Sequence, residues 1–141
     1  MTVVVDASVA IKWVVPEEDS VQALQLRSRW LDNRETLIAP GLFAAEVTNV
    51  LYQKVRRGSL NIALAQDAAD TLLPAIALAD DTSSSRRALE MSASLGVGAT
   101  YDCMYLTLAE SEDCEFWTAD RRFVRMAQSS FPRVRWLGEV A

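Results

Sequence analysis

The sequence predicts an α/β fold in which a central parallel β-sheet is flanked by helices, in three layers. Short apolar runs alternate along the chain with longer segments of helical periodicity. The first run, Val3-Val4-Val5, lacks polar alternation, as expected for a strand that is buried on both faces. Because the sequence contains no repeat, linker or low-complexity stretch, residues 1–141 are predicted to form a single domain.

Two strands and four helices are predicted in the first half of the chain. Residues 2–6 form a strand, and a short helix at 8–15 stops at Pro16, which lacks the amide hydrogen of a helical bond. Glu17, Glu18 and Asp19 favour the first turn of a second helix, which continues to about residue 31. The other elements are a strand at 36–39, a helix at 40–57 closed by Gly58, and a helix at 61–73 capped by Ser59 or Asn61.

Three further helices are predicted in the second half. Residues 74–79 form either a strand or an extended link, and residues 83–95 form a helix closed by Gly96. Asp80 and Asp81 precede this helix and are predicted to serve its N-terminus. Thr100 is predicted to cap a helix that ends at about residue 111, and a strand follows at 115–119. The last two elements are a helix from Asp120 through 128 and a strand at 134–137.

The composition is that of a globular protein. Half of the residues are apolar and 23% are charged, which argues against a disordered chain. No apolar run approaches the ~18–20 residues of a membrane span, so no membrane association is expected. The N-terminal run meets Asp6 at once, which predicts a cytoplasmic protein without a signal peptide.

The chain has two cysteines and no histidine. Cys103 and Cys114 fit neither a zinc site nor a C-x-x-C redox motif, and they are therefore predicted to be free thiols. The lack of histidine excludes hydrolysis by a histidine acid–base pair.

Four acids occupy positions where a carboxylate is hard to explain unless they meet. Asp6 and Asp120 follow predicted strands, at the carboxyl ends where ligands bind in parallel sheets. Glu46 and Asp102 lie within apolar helical patterns, and Glu46 shares a helix face with Asn49. We therefore expect one acidic pocket.

Each acid could also have a purely structural role, without binding a metal or taking part in catalysis. Asp6 and Asp120 could be N-caps, and Asp102 could simply favour the positive end of its helix. Glu46 could be a surface residue of an amphipathic helix. Two carboxylates about 5 Å apart, however, repel by roughly 3 kcal/mol at an effective dielectric near 20. Several such pairs predict a bound cation, and oxygen ligands suit Mg²⁺ or Mn²⁺ better than Zn²⁺.

The net charge of −5 does not exclude a nucleic-acid partner. Four of the nineteen acids belong to the suspected site, where a metal would offset their charge. The arginines are clustered, at Arg86-Arg87, at Arg121-Arg122 with Arg125, and at Arg133 with Arg135.

Four stretches together carry a family resemblance. They are Val3-Val4-Val5-Asp6-Ala7-Ser8, Ala39-Pro40 through Glu46-Val47-Thr48-Asn49-Val50-Leu51, Tyr101-Asp102-Cys103-Met104-Tyr105-Leu106-Thr107-Leu108-Ala109, and Trp117-Thr118-Ala119-Asp120-Arg121-Arg122-Phe123. In this order they resemble the PIN-domain ribonucleases, and within that family the VapC-type toxins of type II toxin–antitoxin pairs. Cys103 is a mild departure, because the motif commonly has a smaller residue such as alanine there.

The resemblance implies a catalytic and metal-binding set of Asp6, Glu46, Asp102 and Asp120. Asp6 and Asp102 would bind the main metal, with the other two acids completing its shell or holding a second ion. Ser8 and Thr118 match supporting hydroxyl positions, and Asn49 matches a supporting polar position. Candidates for contact with the RNA backbone, which could equally be solvated helix faces, are Arg86, Arg87, Arg121 and Arg122.

The implied activity is that of a Mg²⁺-dependent endoribonuclease, with Mn²⁺ able to substitute. It would hydrolyse structured RNA, such as transfer or ribosomal RNA, and leave a 5′-phosphate and a 3′-hydroxyl. The resemblance further implies a homodimer and a VapB-type antitoxin bound across the early helices and the acidic site. The apolar residues of those helices are Trp13, Leu24, Trp30, Leu31, Leu42 and Leu51.

Two alternatives remain open at this point. A phosphotransfer fold, such as a haloacid-dehalogenase-like phosphatase or a receiver domain, also places an aspartate after a strand. The phosphatase needs a second aspartate where Ser8 stands, and the receiver needs an acidic pair where Ala7 follows Asp6. The other alternative is a catalytically silent PIN-like module that binds RNA or a protein partner and keeps its acids as caps.

Overall fold

The computed structural model describes residues 1–80 and 82–141. All five strands of its central sheet are parallel, in the order β3-β2-β1-β4-β5. The strands are β1 (Thr2–Val5), β2 (Thr36–Pro40), β3 (Ala77–Ala79), β4 (Glu115–Thr118) and β5 (Val134–Trp136). The α-helices are α1 (Ala7–Ala10), α2 (Ser20–Asp32), α3 (Leu42–Arg56), α4 (Ile62–Leu72), α5 (Ser85–Leu95), α6 (Tyr101–Ser111) and α7 (Arg121–Ala127). The predicted α/β fold with a flanked parallel sheet is confirmed.

Strand β1 lies at the centre of the sheet, between β2 and β4. From β1 the chain adds β2 and β3 on one side and then returns to add β4 and β5 on the other. The boundary between β1 and β4 is therefore the switch point of the topology, where α/β sheets leave a crevice for ligands. This order differs from the 2-1-3-4-5 order of receiver domains.

Helix α6 covers the middle of the sheet and has more buried residues than any other α-helix in the described part of the chain. Its six buried residues are Cys103, Tyr105, Leu106, Thr107, Leu108 and Ala109, and it packs against β1, β2 and β4. A helix in this position has few directions open to solvent. Its N-terminal end, which carries Asp102, reaches the edge of the sheet where the strands end.

The first two helices depart from the sequence prediction. α1 is a single turn followed by a 3-10 helix at Ile11–Trp13. α2 begins at Ser20 instead of residue 17, since Asp19 has a positive φ of 65°. The carboxylate of Glu17 accepts hydrogen bonds from the amines of Lys12 at 3.2 Å and Lys54 at 2.7 Å. Tertiary ion pairs thus hold the acid that was expected to start the helix.

The predicted ends of several other elements agree closely with the structure. Asn61 caps α4 by accepting a hydrogen bond from the Leu64 amide at 2.8 Å, which decides between the two expected caps. Gly58 and Gly96 follow α3 and α5 in the left-handed conformation that glycine adopts readily. Thr100 precedes α6, but its side chain makes no capping hydrogen bond with the described residues.

The ambiguous segment 74–79 is a strand at its end, since Ala77–Ala79 pairs with β2 as β3. Asp80 accepts a hydrogen bond from the Thr82 amide at 3.1 Å, at the start of the 3-10 helix Thr82–Ser84. The same expectation for Asp81 lies outside the described residues. Cys103 and Cys114 are free thiols, as predicted. Within the described chain, no helix has the length and apolar character to cross a membrane.

Candidate metal centre

Asp6 stands directly after β1, at the carboxyl edge of the sheet, and only 5% of it is exposed. Its Oδ2 accepts hydrogen bonds from the hydroxyls of Ser8 at 2.6 Å and Thr118 at 2.8 Å. The backbone amide of Asp6 donates to the carbonyl of Trp117, so β4 fixes its position. Asp6 lies at the N-cap position of α1 without making a side-chain capping bond, and its carboxylate is held by tertiary contacts instead.

The two hydroxyls form a small network that links β1 to the segment after β4. The Ser8 Oγ accepts a hydrogen bond from the Ala119 amide at 3.0 Å, and the Thr118 Oγ1 accepts one from the Asp120 amide at 3.0 Å. Each hydroxyl therefore donates to Asp6 and accepts from a backbone amide of the segment after β4. This arrangement holds Asp6 in one orientation.

Asp120 and Asp102 approach the same edge from the starts of two helices. The Asp120 Oδ1 accepts a hydrogen bond from the Phe123 amide at 3.1 Å, so this aspartate does cap α7. Capping uses one carboxylate oxygen and leaves the other outside this bond. Asp102 lies in the first turn of α6. Both aspartates line one cavity of about 230 Å³.

Glu46 joins from α3 and is held by a residue that the sequence interpretation missed. Its Oε1 accepts a hydrogen bond from the Tyr105 hydroxyl at 2.7 Å, across 59 residues of sequence. Tyr105 is fully buried in α6, one turn after Asp102, and its ring stacks on Phe116 at 5.4 Å between centroids. The available sequence signal was a tyrosine in an apolar helix face, because a buried phenol needs a hydrogen-bond partner.

Burial and mutual repulsion raise the pKa values of three of the four acids. Burial and then repulsion from Asp6, Asp120 and Glu46 raise the pKa of Asp102 to about 7. Burial, opposed by the Tyr105 hydrogen bond, raises the pKa of Glu46 to about 6, with a further contribution from Asp6. Burial also raises the pKa of Asp6, against the two hydroxyl hydrogen bonds. Strongly perturbed acids in a cleft are typical of functional sites.

The donor chemistry of this site fits a hard divalent cation, because every candidate ligand is a carboxylate oxygen. In residues 1–80 and 82–141, no three acidic or cysteine side chains are gathered tightly enough to form a complete protein cage. Mg²⁺ ordinarily keeps several waters and binds through one or two carboxylates, so such a cage is not required. Repulsion from all three other acids contributes to the raised pKa of Asp102.

Asn49 and the arginines predicted to support the site differ in their positions relative to the four acids. Asn49 is exposed on α3, outside the Asp6 network. Arg122 lines the cavity with Asp102 and Asp120, and the guanidinium carbon of Arg121 lies 4.9 Å from the centre of the Trp136 ring.

Arg86 and Arg87 lie on α5, where their surroundings differ. Arg86 is exposed. Arg87 donates to both oxygens of Glu110, at 2.8 and 3.1 Å, and also pairs with Glu90. The cavity that Arg87 lines contains none of the four acids. A contact between Arg87 and RNA would therefore require exchange of these carboxylate partners.

Comparison with known proteins decides the family. The family model of the PIN domain matches residues 3–129 of this chain. The chain belongs to the PIN-domain family. No curated protein sequence matches it significantly. The fold is shared with PAE2754 from Pyrobaculum aerophilum, at a TM-score of 0.70 and 23% identity, over 89% of this chain and 79% of that one.

Two further solved structures share the fold of this PIN domain. VapBC2 from Rickettsia felis, bound to a DNA fragment from its promoter, is 15% identical with a TM-score of 0.65, over 90% of this chain and 94% of that one. VapC20 from Mycobacterium tuberculosis, a sarcin–ricin-loop-cleaving toxin, is 14% identical with a TM-score of 0.65, over 89% and 95%. At these identities the similarity extends to the fold.

The metal-free PIN domain is expected to lose stability as the pH rises from about 4 to about 7. Asp102 and Glu46 bind protons more tightly in the folded state, with pKa values of about 7 and about 6. Their stabilising contribution is present below their unfolded pKa values and is lost as the pH rises through the folded ones. Glu110, whose pKa is lowered by Arg87, acts in the opposite direction, but only as the pH falls below about 4.5.

Melting temperatures in EDTA, measured near pH 5 and near pH 8 at constant ionic strength, check this expectation. The melting temperature should be lower near pH 8, and adding Mn²⁺ there should recover it. Equal or higher stability near pH 8 in EDTA would contradict the raised pKa values of Asp102 and Glu46, and with them the burial and repulsion that cause them.

Proposed function

We propose that this PIN domain is a Mg²⁺- or Mn²⁺-dependent endoribonuclease and the toxin of a toxin–antitoxin pair. The observation that carries the proposal is the buried Asp6 carboxylate at the switch point of the sheet, with Asp102, Glu46 and Asp120 near enough for mutual repulsion to add to burial in raising pKa values. Retaining such an unfavourable arrangement is best explained by a cation that neutralises it. The reaction would hydrolyse a phosphodiester and leave a 5′-phosphate and a 3′-hydroxyl.

A bound Mg²⁺ or Mn²⁺ would supply Lewis-acid stabilisation of the phosphate and activation of water. Asp6 and Asp102 would hold the main ion, and Glu46 and Asp120 would complete its surroundings or hold a second one. Ser8 and Thr118 orient Asp6 through hydrogen bonds of 2.6 and 2.8 Å. Preorganised carboxylates of this kind need no rearrangement when the substrate binds.

Tyr105 would serve as a positioning residue for Glu46. Its hydroxyl donates to the Glu46 carboxylate at 2.7 Å from a fully buried ring, so the glutamate cannot turn freely toward solvent. The partners of metal-ligating carboxylates contribute strongly to metal affinity. Asn49, exposed one turn further along α3, would act only through RNA or water.

Among the arginines, Arg122 is the best placed to contact a backbone phosphate. It lines the acidic cavity and forms no ion pair with the described residues. Arg121 and Arg86 are exposed and would extend the contact along the RNA. Arg87 would contribute only by exchanging Glu110 for a phosphate. Structured RNA with accessible single-stranded loops is the substrate class proposed, and transfer and ribosomal RNA both belong to it.

The toxin role is supported by solved complexes and toxins of the same fold, such as VapBC2 and VapC20. The antitoxin would bind across the early helices and reach the acidic site. Of the apolar residues on those helices, Trp30 and Leu51 are buried, whereas Leu24 and Leu31 are 46% and 63% exposed. An apolar groove of about 210 Å³ between α3 and α4 offers a site for an amphipathic helix.

A cytoplasmic location and a homodimer complete the proposal. Both follow from the family resemblance. The mass of the isolated protein in solution, measured by light scattering, tests the homodimer.

The test of the function is cleavage of total cellular RNA by the purified protein with Mn²⁺ or Mg²⁺. The comparisons are the Asp6→Asn variant, a chelator control, and Asp70→Asn as a matched change at an exposed aspartate of α4. Cleavage that fails with the chelator and with Asp6→Asn, but persists with Asp70→Asn, is expected. No cleavage and no metal-induced rise in melting temperature would favour a silent RNA- or partner-binding module.

A further inference from the structure

The cavity beside the acids has one wall that the metal chemistry does not explain. It holds about 230 Å³, and Asp102 and Asp120 form only part of its lining. The remainder includes Tyr101, Arg122 and the glycines at positions 96 and 98. An acidic cage for an ion would require neither an aromatic ring nor an arginine.

Tyr101 is the first residue of α6 and immediately precedes Asp102. It is 61% exposed, in contrast to Tyr105 on the same helix, which is fully buried. Among the described residues its ring stacks on no other aromatic side chain, and its hydroxyl has no hydrogen-bond partner. An exposed aromatic side chain without a stacking partner thus lines the cavity next to Asp102.

Arg122 adds a positive group to the same cavity from the first turn of α7, the helix that Asp120 caps. Three other arginines are bound by carboxylates, namely Arg87 by Glu110, Arg133 by Asp113, and Arg135 by Glu115. Within residues 1–80 and 82–141, Arg122 has no such partner. An arginine retained beside two aspartates, yet paired with neither, is available for an anion.

Gly96 and Gly98 are the third feature of the cavity lining. A Cβ built at Gly96 or Gly98 would meet nothing within 4 Å, so this part of the wall presents backbone beside open space. The Gly96 amide already donates to the Ser92 carbonyl at 2.9 Å, so the peptide groups at Gly98 are the ones offered to the polar edge of a planar ligand. A ring face, a backbone edge and a cation together match a nucleotide: a base to stack, an edge to bond and a phosphate to pair.

We propose that this cavity binds one unpaired nucleobase of the substrate, stacked on Tyr101, with its adjoining phosphate held by Arg122 beside Asp102 and Asp120. This inference rests on the proposed function and deepens it, because it specifies RNA whose base next to the cleaved bond is not paired. A base within a duplex could not reach the ring, since its faces are covered by its neighbours. Cleavage would then be confined to loops, bulges and ends.

The test uses small ligands that carry no phosphodiester, so that binding is measured apart from cleavage. Adenosine 5′-monophosphate and ribose 5-phosphate differ only in the base. Their dissociation constants for the whole protein are measured by NMR titration in magnesium buffer. Stacking predicts that the base improves affinity by about 5- to 150-fold. Tyr101→Phe should keep this ratio, and Tyr101→Ala should reduce it to about one.

The matched control is Leu89→Ala, which shortens a side chain of α5 that is 62% exposed. It should leave the ratio unchanged. Equal affinity for the two ligands, no binding of the mononucleotide, or an unchanged ratio in Tyr101→Ala would each overturn the base site. RNA cleavage by the wild-type protein together with any of these results would leave the nuclease proposal intact. Base-dependent binding without RNA cleavage would support the site and remove the proposed activity.

Discussion

Asp102→Asn is expected to abolish RNA cleavage and, at the same time, to stabilise the metal-free protein. Asp102 is the carboxylate that experiences repulsion from all three other acids, in addition to its burial. Asparagine has nearly the same shape but no charge, so the repulsion disappears, and with it one of the proposed metal ligands. Several kcal/mol of transition-state stabilisation by a metal correspond to a loss of about 10³-fold in rate.

Two measurements on the same samples check this prediction. The melting temperature in EDTA near pH 8 should rise in Asp102→Asn, and the further rise on adding Mn²⁺ should be smaller than in the wild-type protein. Asp70→Asn, at an exposed position on α4, should leave both quantities unchanged. A melting temperature in EDTA that falls in Asp102→Asn would show that this carboxylate has a structural role instead.

Phe116→Ala is expected to destabilise the protein by about 3–5 kcal/mol, the range for removal of a buried aromatic side chain. Phe116 is fully buried in β4, stacked on Tyr105 at 5.4 Å and in edge contact with Phe123 at 6.2 Å. The lost ring leaves a cavity beneath Tyr105, whose hydroxyl orients Glu46. We therefore expect metal binding to weaken along with stability.

Urea denaturation gives the free energy of unfolding, and titration with Mn²⁺ at a temperature where the variant is folded gives the metal affinity. Phe116→Leu keeps most of the apolar volume, so its stability loss should be smaller than that of Phe116→Ala. Leu89→Ala, at an exposed position, should change the stability by less than about 0.5 kcal/mol. A similarly small loss for Phe116→Ala would contradict the packing described here.

Much of the fold could be predicted from local sequence because local chemistry determines it. Val3-Val4-Val5 forms β1, Gly58 and Gly96 follow helices, and Asn61 caps α4. The start of α2 could not be predicted this way. Glu17 was expected to stabilise that helix through its dipole, but Lys12 and Lys54 bind its carboxylate, and Lys54 is 37 residues away.

The candidate site, like the fold, was predicted only in part from local sequence. The four acids could be selected from the sequence because each stands out against its apolar neighbours. Whether Asp6 and Asp120 were caps could not be decided, because both positions permit one. In the structure Asp120 caps α7, whereas Asp6 is held by Ser8 and Thr118. The partner of Thr118 lies 112 residues away in sequence, beyond the reach of any local pattern.

The sequence by itself determined the succession of strands and helices, the family to which the chain belongs, and the acidic character of the site. These follow from periodicity, turn residues and motifs, which act over a few neighbouring positions. Only the tertiary structure decided the order of the strands, the bond from Tyr105 to Glu46 and the engagement of Arg87 by Glu110. The physical reason is that strand order and side-chain contacts depend on which distant segments pack together, and such packing leaves no local signature.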